Sequence, residues 1–336
     1  MTVTIDEQRS ETADVAVVGG GAAGLSAAVV LARAGRSVLV IDAGAPRNAP
    51  ADEVHSFLSR DGVRPAELIA SGQRELAGYG GRLLSGWATA ASRTDSGFDV
   101  SLQDGGHVAA RRLLVTSGLT DDLPDVGGLR ERWGKDVIHC PYCHGWEVRG
   151  QPIGVLASGP MAVHQALLFR QWTSDLVLFV HTAAHPTDDQ AEQLAARGIR
   201  VVTGRVESLQ LRDDRMTGVQ LSDGTVVARA ALVVGPRLVA SSLVLEGLGL
   251  QPIAHPLGAE VGQSFAADPT GLTAVPGVWV AGNVTDVQAG VINAAAAAVN
   301  AAAAINADLI AEETEQAVSS YRAAGSVAEQ KWENAS

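Results

Sequence analysis

Only two cysteines, Cys140 and Cys143, occur among 336 residues. That scarcity excludes a disulfide-stapled fold and leaves no second pair to complete a four-cysteine zinc site. His139 and His144 flank the pair, but four ligands in six consecutive residues make poor tetrahedral geometry, so no metal is expected. Positive charge is also scarce. Lys and Arg number 25 against 37 Asp and Glu, a net charge of −12, which argues against nucleic acid and anionic membranes as partners. Residues 1–12 are polar and lack the apolar core of a secretory signal. The alanine-rich run 294–304 is hemmed by Asn293, Asn300 and Asn306 and is expected to be too weakly apolar to cross a bilayer. These absences point to the cytoplasm. There a structural disulfide is out of place, but a catalytic one is not.

What is present is glycine, alanine and aliphatic residues. The chain has 37 glycines, 46% hydrophobic residues and 4% aromatics. Small side chains suit close helix-on-sheet packing in an α/β protein, and the length suggests two domains. The pair lies in His139-Cys140-Pro141-Tyr142-Cys143-His144. Three readings are open for it: half a zinc site, two inert thiols, or a redox pair in which one sulfur attacks and the other resolves.

The context begins near the N-terminus. An apolar strand over 14–18 runs into Gly19-Gly20-Gly21-Ala22-Ala23-Gly24, then a helix over 25–34 and a strand over 37–41 that ends in Asp42. Strand, glycine turn, helix, strand and acid together form a dinucleotide fingerprint. The glycines admit a pyrophosphate to the helix N-terminus, and the acid takes ribose hydroxyls. The loop that follows, with Ala43, Arg47, Asn48 and His55, lies where a bound dinucleotide would extend. Asn48 and His55 are either ligand contacts or ordinary loop residues. A helix is expected over Pro65–Gly78, hairpin strands over 82–116, and a strand end at Thr116-Ser117-Gly118.

After the cysteines a second strand–turn–helix–strand unit is expected, with strands over 153–157 and 176–181 and helices over 162–172 and 188–197. This is an internal duplication of the first unit. Its turn, Ala157-Ser158-Gly159-Pro160-Met161-Ala162, keeps one glycine, and Pro160 removes an N–H. The following His181-Thr182-Ala183-Ala184-His185 offers no Arg or Lys to a 2′-phosphate. NADPH therefore has a poor seat. Residues 245–270 read as a linker. A strand at 277–280 ends in Ala281-Gly282-Asn283, followed by a long helix over 289–311 and a polar helix with a frayed tail over 312–336.

The glycine motif at 19–24, Thr116-Ser117-Gly118, the late Cys-x-x-Cys and Ala281-Gly282-Asn283 together resemble the low-molecular-weight thioredoxin reductase family. The resemblance covers nearly the whole chain. It implies an α/β fold of two Rossmann-like, three-layer ββα nucleotide-binding domains. One would be a discontinuous FAD domain, 1–125 plus 245–336. The other would be an inserted NAD(P)-like domain, 126–244, carrying the cysteines. It also implies a homodimer. FAD would lie on Gly19, Gly21, Ala22, Ala23 and Gly24, on Asp42 and Ala43, and along Arg47, Asn48 and His55. Thr116, Ser117, Gly118, Gly282, Asn283, Gln288, Ala289 and Val291 would complete its site.

The departures are informative. Asn283 replaces the family's FAD-contacting Asp and can still hydrogen-bond a ribityl hydroxyl. His144 replaces the Asp that follows the second cysteine in typical reductases. The string Cys-Pro-Tyr-Cys-His-Gly-Trp-Glu at 140–147 resembles the flavin-dependent dithiol oxidases that close disulfides in natural products of the gliotoxin and holomycin type. That likeness implies a small-molecule dithiol substrate that meets Cys140, with Cys143 beside the flavin, His144 as base, and O2 taking the electrons to give peroxide. His139 and Asp286 are weaker candidates, and residues 252–256 and 258–264 are expected to line the substrate pocket. The alternatives are a disulfide reductase fed by NADPH or ferredoxin, and a non-catalytic flavoprotein acting as a sensor.

Overall fold

The computed structural model describes residues 10–333, with side chains to residue 324. Its first sheet is built on strand Ser10–Val18. Parallel strands Val38–Asp42 and Arg82–Ser85 flank it on one side, and His107–Val115 and Val278–Val280 on the other. Gly97–Leu102 and Ala88–Thr94 extend the sheet as an antiparallel hairpin. Side chains alternate across the pleat. Val15, Val17, Val38 and Val40 join a core with helices Ala22–Arg33 and Val291–Glu333. Ala16, Val18, Leu39 and Ile41 join the opposite core with Val100, Leu245 and Phe265. This is the expected layered arrangement. Arg82–Ser85 departs from expectation: it is not part of a hairpin but the parallel edge strand.

The second sheet is all parallel, in the order Arg200–Thr203, Leu176–Val180, Ile153–Leu156, Ala231–Val234, Val137–Ile138. Helices Ala162–Phe169 and Asp188–Ala196 connect its strands. A three-stranded antiparallel sheet, Val206–Arg212, Arg215–Leu221 and Val226–Val227, packs on it through Val206, Leu209, Val219 and Leu221.

The chain enters this unit after Thr120–Asp122 and leaves it before Arg237–Val239, and these two strands pair antiparallel. Residues 245–270 are not a linker. Helix Leu243–Gly247 buries Val244 and Leu245, and strands Ile253–Ala254 and Gly262–Ser264 extend the crossing pair into a four-stranded sheet. The C-terminal helix runs unbroken over Val291–Glu333, where two segments were expected. By length and composition its Val291–Ala324 portion is apolar enough to cross a membrane, contrary to the sequence expectation, because the aliphatic residues outweigh the asparagines. Here Ala294, Ala298, Ala301, Ala302, Ile305 and Leu309 are buried against Ala27, Ala28 and Leu31. Residues 334–336 of the expected tail lie outside the described residues.

Candidate active site

One half of the site is a nucleotide cradle. Gly19 sits at φ +108°, and a Cβ there would stand 2.5 Å from the Thr116 carbonyl oxygen. A Cβ on Gly24 would overlap the Gly19 carbonyl oxygen. The buried Thr116 hydroxyl donates to that same oxygen at 2.8 Å, so Thr116 braces the turn from beneath. Gly21 faces open space, and no side chain caps the helix that starts at Ala22. Its first N–H groups are free for an anion. The Asp42 carboxylate accepts from Gly20 N–H at 2.8 Å and from Gly44 N–H at 3.1 Å, which folds the second strand's end and Ala43 over the turn.

Gly282 brings the far end of the chain to the same place. A Cβ on it would lie 3.0 Å from Ala23 Cβ. The Asn283 amide donates to the carbonyl oxygens of Asp286 and Ala289, both at 2.9 Å. Gln288 N–H donates to Asp286 Oδ1 at 3.1 Å, and Ala289 leads into the helix that starts at Val291. Ser117 is exposed and Gly118, at φ +73°, turns the chain away. An open glycine, an uncapped helix and a carboxylate at the second strand's end fit the pyrophosphate and ribose of FAD.

The other half is the cysteine turn. Cys140 is the N-cap of the short helix Pro141–His144, and Pro141 takes the first helical position. Hydrogen-bonding interaction with the Cys143 thiol is the largest influence on Cys140 and outweighs its burial, bringing its pKa down to about 7. The N–H groups of Cys143 and Tyr142 and the Arg47 charge act in the same direction. The same interaction, with burial, pushes the Cys143 thiol up and holds its proton firmly. The pair therefore titrates as a unit, with Cys140 the sulfur that gives up its proton first. Beneath it, Gly145 packs against the Trp172 indole, where a Cβ would come within 2.9 Å of the ring. Trp172 also meets Tyr142 edge-on at 6.4 Å.

The two flanking histidines separate in role. His139 Nδ1 donates to the Val234 carbonyl oxygen at 3.1 Å and is committed to the sheet. Burial lowers its pKa below 6.5. His144 Nδ1 is buried and has no hydrogen-bond partner among the described residues. Burial also lowers its pKa below 6.5, opposed by the nearby Glu147 and Asp52 charges. A neutral imidazole with an unused nitrogen beside two thiols can take a proton.

The loop at 43–62 runs from the cradle to the cysteines. The Arg47 guanidinium forks onto Asp121 at 2.6 and 2.8 Å, and its charge reaches Cys140, Cys143 and His139. Asn48 sits in the adjoining turn, its carbonyl accepting from Ala51 N–H at 3.0 Å. His55 Nδ1 pairs with Asp61 at 3.0 Å, and its Nε2 lies 3.4 Å from Glu53 and 3.6 Å from Glu147. The bond to Asp61 raises its pKa above 6.5. Glu53, His55, Ser56, Asp61, Tyr142, Trp146 and Glu147 line a cleft of about 480 Å³. Sequence reasoning missed this cleft, and also Asp121, Trp172 and Glu147. Residues 252–256 and 258–264, the expected pocket lining, do not border it.

In the second unit, Gly159 opens onto free space but helix Ala162–Phe169 starts from Met161 after Pro160. His181 Nδ1 accepts from Val206 N–H at 3.0 Å, and the Arg205 charge reaches the ring. Arg205, from the loop after Arg200–Thr203, is a cation at this edge that a search directly behind the strand overlooks.

A dinucleotide cradle joined to a dithiol on a neighbouring parallel-sheet domain defines a flavin-linked enzyme of sulfur chemistry. The pyridine nucleotide-disulphide oxidoreductase model matches residues 13–302. Thioredoxin reductase tcpT of Claviceps purpurea (strain 20.1) is 30% identical over 285 residues, 82% of this chain and 87% of that one. Thioredoxin reductase sirT of Leptosphaeria maculans is 29% identical over 310 residues, 87% and 93% of the two chains. Among solved structures, HlmI superposes with a TM-score of 0.86 at 45% identity, covering 91% of this chain and 95% of its own. An oxidoreductase from Agrobacterium tumefaciens gives a TM-score of 0.83 at 37% identity, covering 89% and 99%. The chain belongs to the pyridine nucleotide-disulphide oxidoreductase family, in its thioredoxin-reductase-like part, whose members are FAD-binding flavoproteins. It is an oxidoreductase that acts on sulfur groups.

Proposed function

We propose that the protein is a dithiol oxidase that closes an intramolecular disulfide in a small-molecule dithiol, with O2 as the final acceptor. The observation that carries this reading is the buried, unpartnered Nδ1 of His144 on the same short helix turn as Cys140 and Cys143. With the pair oxidised, a substrate thiolate attacks the Cys140 sulfur, and Cys143 leaves and takes up the proton that His144 drew from the substrate thiol. The second substrate thiol then displaces Cys140, and the substrate departs as a disulfide. Cys140 is the leaving sulfur of this second step, and its low pKa makes it a good one. His144 is the base that takes the substrate thiol protons. Bound FAD supplies a two-electron acceptor that O2 can reoxidise. The net reaction is R(SH)2 + O2 giving RS2 + H2O2.

The relatives named thioredoxin reductase make the reductase direction the competing reading. The test mixes the purified yellow protein, without air, with a small dithiol or with NADPH and follows flavin absorbance. Bleaching by the dithiol alone, reversed by air with one peroxide per dithiol consumed, is the expected result. Rapid bleaching by NADPH would sink the oxidase reading.

A further inference from the structure

The cleft beside the cysteines has carboxylates on both walls and exposed aromatic rings. Glu53 and Asp61 come from the loop behind the cradle, and Glu147 follows the redox helix. All three meet His55, yet their side chains remain 52%, 78% and 42% exposed. Each carboxylate has more acceptor capacity than one imidazole uses. Among the described residues that line the cleft, His55 is the only basic side chain. Tyr142 and Trp146 stand 68% and 64% exposed, unusual for rings of this size. Trp146 already carries the Arg149 guanidinium, 3.9 Å from its ring centre, so the ring holds a cation in practice. Tyr142 meets Trp172 edge-on and keeps most of its surface open.

Aromatic faces beside carboxylates are the chemistry of ammonium recognition. An anionic ligand would meet three like charges there. Tyr142 lies between the two cysteines in sequence, so a molecule held in the cleft stands against the redox turn. We infer that this cleft selects a small dithiol bearing a protonated amine over its neutral and anionic analogues. The inference rests on the dithiol-oxidising reading above and assigns the substrate's charge.

Three probes with the same sulfur pair test it: dihydrolipoate, dihydrolipoamide and N-(2-aminoethyl)dihydrolipoamide. The holoprotein is mixed with each without air, and the second-order rate of flavin bleaching is measured at low and high salt. Each bleaching event moves one electron pair from dithiol to flavin, and the dithiol leaves as its cyclic disulfide. The amine is expected to react fastest and the carboxylate slowest, with a spread of about tenfold that narrows as salt screens the cleft. Within Glu147→Gln, and again within Glu53→Gln, the amine-to-carboxylate ratio should shrink. Equal rates, a carboxylate that reacts fastest, or a ratio indifferent to salt overturns the assignment and leaves the oxidase reading standing. Failure of all three dithiols to bleach the flavin overturns both. The salt series on the unsubstituted protein decides the matter even where a variant fails to fold.

Discussion

Interaction with Cys143 draws the Cys140 thiol down to about 7 and pushes the Cys143 thiol up, so that of two chemically equal groups Cys140 gives up its proton first. The asymmetry originates in the backbone. Cys140 stands at a helix N-cap and Cys143 one turn along, which lets both the thiol and nearby N–H groups converge on the first sulfur.

Removing the Cys143 thiol should reverse this. In Cys143→Ala the Cys140 thiol is expected to rise from about 7 toward its ordinary value, since its largest lowering influence is gone. The measurement is the pH dependence of iodoacetamide alkylation of the reduced protein. An unchanged midpoint would show that the helix N-terminus and Arg47 alone hold the thiolate.

His144→Gln should slow flavin bleaching by a dithiol by about 10²–10⁴-fold, the usual range for loss of a positioned base. The pH profile carries the sign. Burial lowers the His144 pKa, so the neutral, proton-accepting form persists below the ordinary histidine range near pH 6.5. The acid limb of the native profile should fall below pH 6.5 and disappear in the variant. A limb above 6.5, or one that survives in His144→Gln, removes His144 from the base role.

The dinucleotide half of this architecture was legible because its constraints are local. Gly19 and Gly24 are dictated by contacts with the same turn and with Thr116, and helix Pro65–Gly78 announces itself with Pro65 at its start. The four-stranded crossing sheet was not legible. Its strands Thr120–Asp122 and Gly262–Ser264 are short and flank Arg237–Val239 from distant parts of the chain, so no local period marks them. The cleft escaped for the same reason: Glu53 and Asp61 meet Tyr142 and Glu147 only in space. Arg47, expected along the cofactor, is drawn into a fork with Asp121, and a charge pairing across 74 residues leaves no mark in a single sequence.

The two glycines of the cradle predict opposite failures. Gly24→Ala drives a methyl into the Gly19 carbonyl and should unfold the turn, lowering both thermal stability and flavin content. Gly21→Ala meets nothing within 4 Å and lies at φ −73°, so the fold should survive. Its methyl would instead occupy the space where the pyrophosphate approaches. Flavin absorbance per mole of protein, read beside the melting curve, separates the two cases. Full flavin occupancy in a well-folded Gly21→Ala would place the dinucleotide elsewhere.

Asn283 is bonded to two carbonyl oxygens, so its side chain must be a donor, which fixes the orientation of the amide. A carboxylate cannot fill that role. Asn283→Asp would set a negative charge against the carbonyls of Asp286 and Ala289 and leave both without their donor. The expected cost is about 1 kcal/mol, at the low end of the penalty for unsatisfied acceptors because the bond to Asp286 is exposed and that to Ala289 only partly buried. The loss should appear as a lower urea midpoint with an unchanged slope, and it should be smaller below pH 4, where the protonated acid regains one donor. Stability equal to the native protein at pH 7 would mean that the turn at 283–289 rearranges freely, and the brace would then owe nothing to the amide.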